Sequence, residues 1–118
     1  MERIKLVFKK CDFVVNESKN VVTAIITVQL DKYLKNTGIY LDEEIKAVGI
    51  ARCYRDNFDE TTGKRIARAK AERNAYIEAR NILRNEIRNI NKDMSSLNTS
   101  IDFFSDCIDH QDDYINEF

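Results

Sequence analysis

The feature that most constrains the fold is a long segment, residues 57–94, that contains no proline and a single glycine, Gly63. Basic side chains recur there at every fourth position: Arg80, Arg84, Arg88 and Lys92. Residues four apart are neighbours on a helix surface, so the segment predicts a helix from near Glu60 to about Asn91 with one cationic face. Like charges at this spacing repel each other. The row therefore requires anions, which an acidic protein face or a phosphate-bearing ligand can supply.

Two side-chain stripes run along this predicted helix, and Asp59 or Thr61 is suited to cap its N-terminus. One stripe consists of alanines, which permit close approach by a sheet or a second helix: Ala67, Ala71, Ala75 and Ala79. The other is a mostly apolar seam at steps of three and four: Ile66, Ala69, Arg73, Tyr76, Arg80, Leu83, Ile87 and Ile90. Because two arginines interrupt this seam, we do not expect a dry coiled coil along its whole length.

The residues before the helix have the pattern of β-strands. Residues 3–16 alternate between apolar and polar side chains, and a polar turn at 16–20 leads into a β-branched run at 21–30. Such a pair predicts an antiparallel hairpin. A third extended piece is expected at about 45–54, after a turn at 36–38 and the acidic residues 42–44. The chain therefore predicts a small antiparallel sheet of three or four strands with one face to bury.

The last 24 residues are acidic, with six acids and no Lys or Arg, whereas the rest of the chain holds 19 bases against 14 acids. A break at residues 92–94, followed by Ser95 or Ser96 as a cap, predicts a separate last helix. Its apolar residues keep heptad spacing around the polar Gln111: Leu97, Ile101, Phe104, Ile108, Ile115 and Phe118. We expect this helix to pair with the basic helix, within the chain or between protomers.

Together these patterns predict an α+β fold: a small antiparallel sheet, then a long helix and a C-terminal helix, assembled as a homodimer. A chain of 118 residues fits one domain, with the sheet in 1–56, the basic helix in 57–94 and the acidic helix in 95–118. The odd number of cysteines, Cys11, Cys53 and Cys107, argues against a secreted disulfide framework. With no apolar run near the roughly 20 residues that span a bilayer, we expect a cytoplasmic protein with no membrane partner.

The residue patterns of familiar catalytic and metal sites do not occur in this sequence. His110 is the only histidine and stands among carboxylates, and no two Cys or His residues have zinc-ligand spacing. Three glycines, Gly38, Gly49 and Gly63, form neither a P-loop nor a dinucleotide-binding loop. We therefore expect a protein that is not an enzyme and that uses no cofactor or metal.

Residues suited to ligand binding are concentrated in two places. Tyr54, Arg55 and Phe58 lie just before the helix, where free N–H groups attract anions and an exposed ring can stack on a base. The arginine row is flanked by amides that suit ribose hydroxyls or base edges: Asn81, Asn85 and Asn89. Each place also has a structural interpretation. Phe58 can be a hydrophobic staple at the helix entrance, and the acidic last helix can neutralise the row.

These two places are far apart in one chain. From Phe58 to Arg84 or Arg88 is 26 to 30 residues, which is about 40 Å of helix. If two protomers pack these helices antiparallel, the entrance loop of one meets the arginine row of the other in two equivalent clefts. The predicted site therefore depends on dimerisation.

One run of residues resembles a known family. It comprises Gly49-Ile50-Ala51-Arg52-Cys53, then Asn57-Phe58-Asp59-Glu60, then Gly63-Lys64-Arg65-Ile66-Ala67-Arg68-Ala69-Lys70-Ala71. Following a β-hairpin and leading into an arginine-bearing helix, it resembles the first Thoeris anti-defence family of phages and prophages. The Lys-, Asn- and Ile-rich composition suits a prophage of an AT-rich, clostridium-like host. The resemblance implies a non-enzymatic homo-oligomer built from dimers. It implies a sponge that binds, without cleaving it, the cyclic ADP-ribose isomer made by a TIR-domain protein, and so blocks Thoeris immunity.

The resemblance also implies site residues, because members of this family hold the ligand in recessed pockets at the protomer interface. By order along the chain, the stacking aromatic corresponds to Phe58, the arginine pair to Arg84 and Arg88, and the closing loop to residues 54–59. Arg80 can replace either arginine. The further expected contacts are Arg68, Arg55, Asn81 and Tyr54. The resemblance does not specify the isomer, a second cyclic oligonucleotide site, or assembly beyond a dimer.

Two other functions fit the same residues. The acidic C-terminal helix can imitate nucleic acid and inhibit a host protein, as in some phage inhibitors. The arginine row can bind nucleic acid itself, although the sequence pI of 5.9 is unlike that of bulk nucleic-acid binders, which have a pI above about 9. Neutralising Asp102, Asp106 and Asp113 would abolish the first function, and added salt would weaken the second steeply.

Overall fold

The computed structural model describes residues 4–52 and 59–118. In chain order the elements are β1 (Leu6–Asn16), a 3₁₀ turn (Glu17–Lys19), β2 (Val21–Leu34), β3 (Ile39–Arg52) and α1 (Glu60–Asn116). The strands form one antiparallel sheet in the order β1-β2-β3. The predicted α+β class, with a three-stranded antiparallel sheet followed by a long helix, is confirmed.

The first predicted turn is confirmed at residues 16–20. The side-chain oxygen of Asn16 accepts hydrogen bonds from Lys19 N at 3.2 Å and Ser18 Oγ at 2.8 Å. Asn20 completes the turn with φ of 53°, a left-handed conformation that asparagine tolerates better than most residues. This turn sets a register in which Val15 lies opposite Val22 and Phe13 opposite Ala24.

Strand β3 is longer than the sequence predicted, because it begins at Ile39 instead of about residue 45. Leu41 and Ile45 are buried, whereas the acidic side chains of residues 42–44 between them are exposed. The prediction that these acids precede the strand is wrong. An antiparallel strand keeps its pairing while charged side chains face water.

The core lies between one face of the sheet and the alanine stripe of α1. Alternate residues of β2 are buried, with Val22, Ala24, Ile26, Val28 and Leu30 at 0–1% exposure. Ala67, Ala71 and Ala75 are fully buried and Ala79 is 7% exposed. The predicted use of this stripe for close packing is therefore confirmed. The seam beside it does not face the core, because Ile66 is 45% and Tyr76 57% exposed.

Gly49 of β3 lies directly against the backbone of α1. A Cβ atom at this position would overlap the carbonyl oxygen of Ala67 and the amide nitrogen of Ala71, and would lie 2.9 Å from the carbonyl carbon of Lys70. Only glycine fits against a helix backbone at such a distance. The contact explains why the opposing helical face consists of alanines.

Two helical side chains bind the outer edge of β3. Lys70 Nζ donates to the carbonyl oxygen of Ile50 at 3.1 Å, and Asn74 Nδ2 donates to that of Val48 at 2.7 Å. Residues 48 and 50 are two apart on the strand, so their carbonyls point to the same side of it. Two residues four apart on the helix thus reach two residues that are two apart on the strand. These donors bind carbonyl groups at the sheet edge that would otherwise be left to solvent.

The helix does not break at residues 92–94, so one helix stands where the sequence predicted two. The hydroxyls of Thr99 and Ser100 donate to the carbonyl oxygens of Ser95 and Ser96, both at 3.0 Å. In this arrangement serine and threonine bond back to the preceding turn instead of capping a new helix. The expected caps at Ser95 and Ser96 are therefore interior helical residues.

Contacts within the chain divide it into two units, Met1–Asn81 and Ile82–Phe118, with the boundary inside α1. The first unit holds the sheet and the alanine stripe. In the second unit every residue from 91 to 118 is exposed, including large apolar side chains such as Leu97 and Phe104. Among the described residues, no helix has both the length and the hydropathy needed to cross a membrane.

Candidate functional site

The N-terminus of α1 is capped by Asp59, as the sequence predicted. Its Oδ1 accepts from Thr61 N at 3.0 Å and Thr62 N at 3.4 Å, and its Oδ2 accepts from the Thr62 hydroxyl at 2.6 Å. The side-chain and backbone hydrogen bonds from Thr62 lower the pKa of Asp59, because they favour the ionised carboxylate. Three predicted contacts, Tyr54, Arg55 and Phe58, lie outside the described residues.

Arg84 and Arg88 occupy the first part of the second unit, one helical turn apart and both exposed. Arg88 Nη1 lies 3.4 Å from Asn85 Oδ1, which is a long hydrogen bond between neighbours on the same helix. In residues 59–118, no carboxylate lies within ion-pairing distance of either guanidinium. Most of their N–H donors therefore point into solvent.

Arg80 and Asn81 are the last two residues of the first unit. Both side chains are exposed, and neither side chain has a hydrogen bond or an ion pair within the part of the chain that the structure describes. Lys92, which continues the row in the second unit, is likewise unpaired there. Among the described residues, no acid of the same chain forms an ion pair with this row.

Arg68 lies elsewhere, against β1. Its Nε donates to Glu72 Oε1 at 3.0 Å, and within residues 4–52 and 59–118 the terminal nitrogens of the guanidinium have no partner. Arg68 precedes Arg80 by 12 residues, about 18 Å along a helix. Arg68 is therefore about three helical turns from the first residue of the row.

A cavity of about 300 Å³ lies beside Arg68 and is open on one side. Its walls are formed by Phe8, Lys9, Lys10, Cys11, Ile26 and Arg68. The strand register shifts between Phe8 and Lys10, so that Lys9 is the extra residue of a β-bulge. Bulges redirect side chains in this way, often beside functional sites. Two carboxylates balance part of the charge, since Asp12 lies 3.5 Å from Lys10 and Glu72 binds Arg68.

Sequence reasoning missed the contribution of Lys9 and Lys10 to this cavity. The signal was present, because two adjacent lysines interrupt the alternation of residues 3–16. An interruption of that kind in a regular strand indicates a bulge. Nearby, Lys64 Nζ lies 5.5 Å from the centre of the Phe13 ring, and the rings of Phe8 and Tyr76 meet edge to face at 6.0 Å. The side of the sheet near β1 is thus cationic and aromatic.

No cluster of three or more His, Cys, Asp or Glu residues within 4–52 and 59–118 has the geometry to hold a metal ion. Comparison of the chain with protein-family models, with curated proteins and with solved structures found no match. The function is therefore argued from the residues themselves.

Proposed function

We propose that this protein sequesters a cyclic ADP-ribose isomer of the kind made by TIR-domain proteins, without cleaving it, and thereby blocks Thoeris immune signalling. The observation that supports the proposal is the exposed, unpaired guanidinium pair of Arg84 and Arg88 in a region flanked by asparagine amides. A pyrophosphate requires two cationic forks, and riboses require amide partners. An unneutralised cationic face is what an anionic ligand needs.

The proposed site also requires a second copy of the chain. Phe58 supplies the ring that stacks on adenine, and in the proposal it comes from the partner of the protomer that supplies Arg84 and Arg88. Stacking contributes about 1–3 kcal/mol per base, and each charge-assisted hydrogen bond about 1.5–3 kcal/mol. A nanomolar complex needs about 12 kcal/mol, so contacts from both copies are required. Arg80 and Asn81 extend the same surface.

The test is calorimetric titration of the purified protein with cyclic ADP-ribose isomers, followed by heating and analysis of the released ligand. We expect a stoichiometric complex, release of intact ligand, and no effect of added DNA. The double variant Arg84→Gln, Arg88→Gln should bind at least roughly 100-fold more weakly, because two charge-assisted hydrogen bonds are lost. Phe58→Ala should weaken binding about 10-fold or more through lost stacking.

Arg73→Gln is the matched control. Arg73 is also an exposed arginine of α1 without an ion pair among the described residues, but it lies outside the row. If the control and the double variant weaken binding equally, the effect is general electrostatics and the site assignment is wrong. Binding of DNA that falls steeply with salt would establish nucleic-acid binding in place of sequestration. Co-purification of a host protein, lost on neutralising Asp102, Asp106 and Asp113, would establish the inhibitor function.

A further inference from the structure

The second unit presents a row of large apolar side chains to solvent. Ile87, Met94, Leu97, Ile101, Phe104, Ile108, Ile115 and Phe118 are 50–93% exposed. They follow one another at steps of three and four, with the half-buried Leu83 and Ile90 in the same pattern and Gln111 as its polar member. Exposed apolar surface of this extent marks an interaction site. A seam at alternating steps of three and four is the surface that another helix covers.

The residue types in the seam indicate how many helices meet. In a heptad written abcdefg, position a is held by Ile87, Met94, Ile101, Ile108 and Ile115. Position d is held by Leu83, Ile90, Leu97, Phe104, Gln111 and Phe118. Isoleucine holds four of the five a positions but leucine only two of the six d positions, so the seam keeps only part of the pattern that is typical of two-stranded parallel coiled coils. We infer that residues 82–118 form an antiparallel two-stranded coiled coil with the same residues of a second copy of this chain.

The distribution of charge determines the antiparallel orientation. Three bases, Arg84, Arg88 and Lys92, lie at the start of the segment with a single acid, Glu86. From residue 93 onward there are seven acids and no base. A parallel pair would bring the two acidic ends together, and their carboxylates would repel. An antiparallel pair places the acidic end of each copy beside the basic start of the other.

The flanking residues select one register. Position e faces position e of the partner in an antiparallel pair, and the charged residues at e in this segment are Arg84 and Asp112. When Leu97 packs against Ile101 of the second copy, Arg84 lies beside Asp112 of that copy, and the symmetry repeats the pair. A shift of one heptad moves Asp112 opposite Asn91 or Ile77. Parallel pairing moves Arg84 opposite Ala79, so either change removes both ion pairs.

This inference stands on the second unit alone. In this register Arg84 and Arg88 lie beside residues 110–114 of the second copy, so the contact with Phe58 that the proposed function needs would come from a further copy. Pairing with Asp112 would neutralise part of the charge at Arg84 but would leave donors for a ligand, since a guanidinium has five N–H donors and one carboxylate accepts at most two of them. Arg88 lies at position b, away from the seam. The two proposals can therefore fail independently, and all experiments below are done on the full chain without ligand.

Two adjacent phenylalanines provide a matched test of the seam. Phe104, at position d, and Phe103, at position c on the outer side, are 60% and 62% exposed. By sedimentation velocity we expect the wild type to be a dimer. Phe104→Asp should raise the dissociation constant at least roughly 100-fold, because it places a carboxylate in the apolar contact. Phe103→Asp should leave it within about twofold. A monomeric wild type, or equal effects of the two variants, would overturn the inference.

Disulfide trapping tests orientation and register in a chain that keeps the seam, so it remains decisive if Phe104→Asp does not fold. With the three native cysteines replaced by serine, Ser100→Cys should form a cross-linked dimer, because the two copies of residue 100 meet at the two-fold axis. Ile108→Cys should not, because its two copies would be about 27 Å apart along the axis. Cross-linking through residue 108 but not residue 100 would establish a parallel pair and contradict the proposal.

A charge exchange tests the register. Arg84→Glu alone and Asp112→Arg alone should each weaken the dimer by roughly fivefold, a modest effect because the pair is solvent-exposed. The double variant should restore the wild-type constant to within about twofold. If the double variant shows the sum of the single effects, the two residues do not face each other and the register is wrong.

Discussion

The two parts of α1 differ in whether their apolar side chains are buried or exposed. In residues 60–81 the buried side chains are alanines, and Gly49 allows the sheet to approach the helix backbone. In residues 82–118 the apolar side chains are large, regularly spaced and exposed. Small residues therefore mark the face that packs within the chain, and large residues at heptad spacing mark the exposed face that we propose pairs with a second copy. A single helix can carry both kinds of surface in succession.

Gly49→Ala should have the largest effect on the first part and none on the second. The added Cβ would overlap backbone atoms of Ala67 and Ala71, which cannot move aside as a flexible side chain can. We expect a loss of roughly 3 kcal/mol or more in the free energy of unfolding, at or above the upper end of the usual cost of overpacking. Urea unfolding followed by circular dichroism would measure it.

Gly38 provides the control for that substitution. It has a φ of 72° in a turn, and a Cβ there would meet only the Tyr33 hydroxyl, at 3.8 Å. Gly38→Ala should cost about 1 kcal/mol through backbone strain alone. Equal losses for the two alanine variants would show that the helix does not pack on Gly49.

A pair of alanines should separate the covered face from the exposed one. Ala71 is fully buried against the sheet, whereas Ala69, two residues away, is exposed on the seam. Ala71→Leu should lower the free energy of unfolding by about 1–3 kcal/mol, because the larger side chain forces sheet and helix apart. Ala69→Leu should change it by no more than about 0.5 kcal/mol. The reverse order in thermal unfolding would mean that the faces are assigned incorrectly.

The smallest expected effect concerns the acid dependence of the helix cap. The folded-state pKa of Asp59 is lowered by its hydrogen bonds with Thr62. Its contribution to stability is therefore present above the unfolded-state pKa of about 3.9 and is lost as pH falls through the folded-state value. Asp59→Asn keeps a capping oxygen but does not titrate. The stability difference between wild type and variant should change between about pH 5 and about pH 2 and stay constant above that range.

The sequence predicted the parts of the fold that depend on local patterns. Alternation and turn residues identified the strands and the Asn16 turn, and the sequence offered Asp59 and Thr61 as candidate caps, of which the structure shows Asp59. The sequence did not predict that the helix continues past residue 92. Serine is compatible with both a cap and a helix interior, and the hydroxyls of Thr99 and Ser100 bond to the turn before them.

The choice between the two stripes of α1 depended on information that is not local. The alanine stripe and the Ile66 seam have the same periodicity, and only the approach of Gly49 decides which one faces the sheet. The same limit applies to the candidate site. Spacing places Arg84 and Arg88 on one face, but the position of Arg68 beside the β1 bulge depends on how the helix crosses the sheet.

The hydrogen bonds from Lys70 and Asn74 to β3 have a consequence for how the protein behaves at high concentration. Endless strand-by-strand growth into a fibril requires a sheet that can accept a neighbour on both sides. Here the side chains of Lys70 and Asn74 occupy the outer edge of β3 at residues 48–50. Strand addition there would have to displace both side chains, which disfavours growth from that end of the sheet.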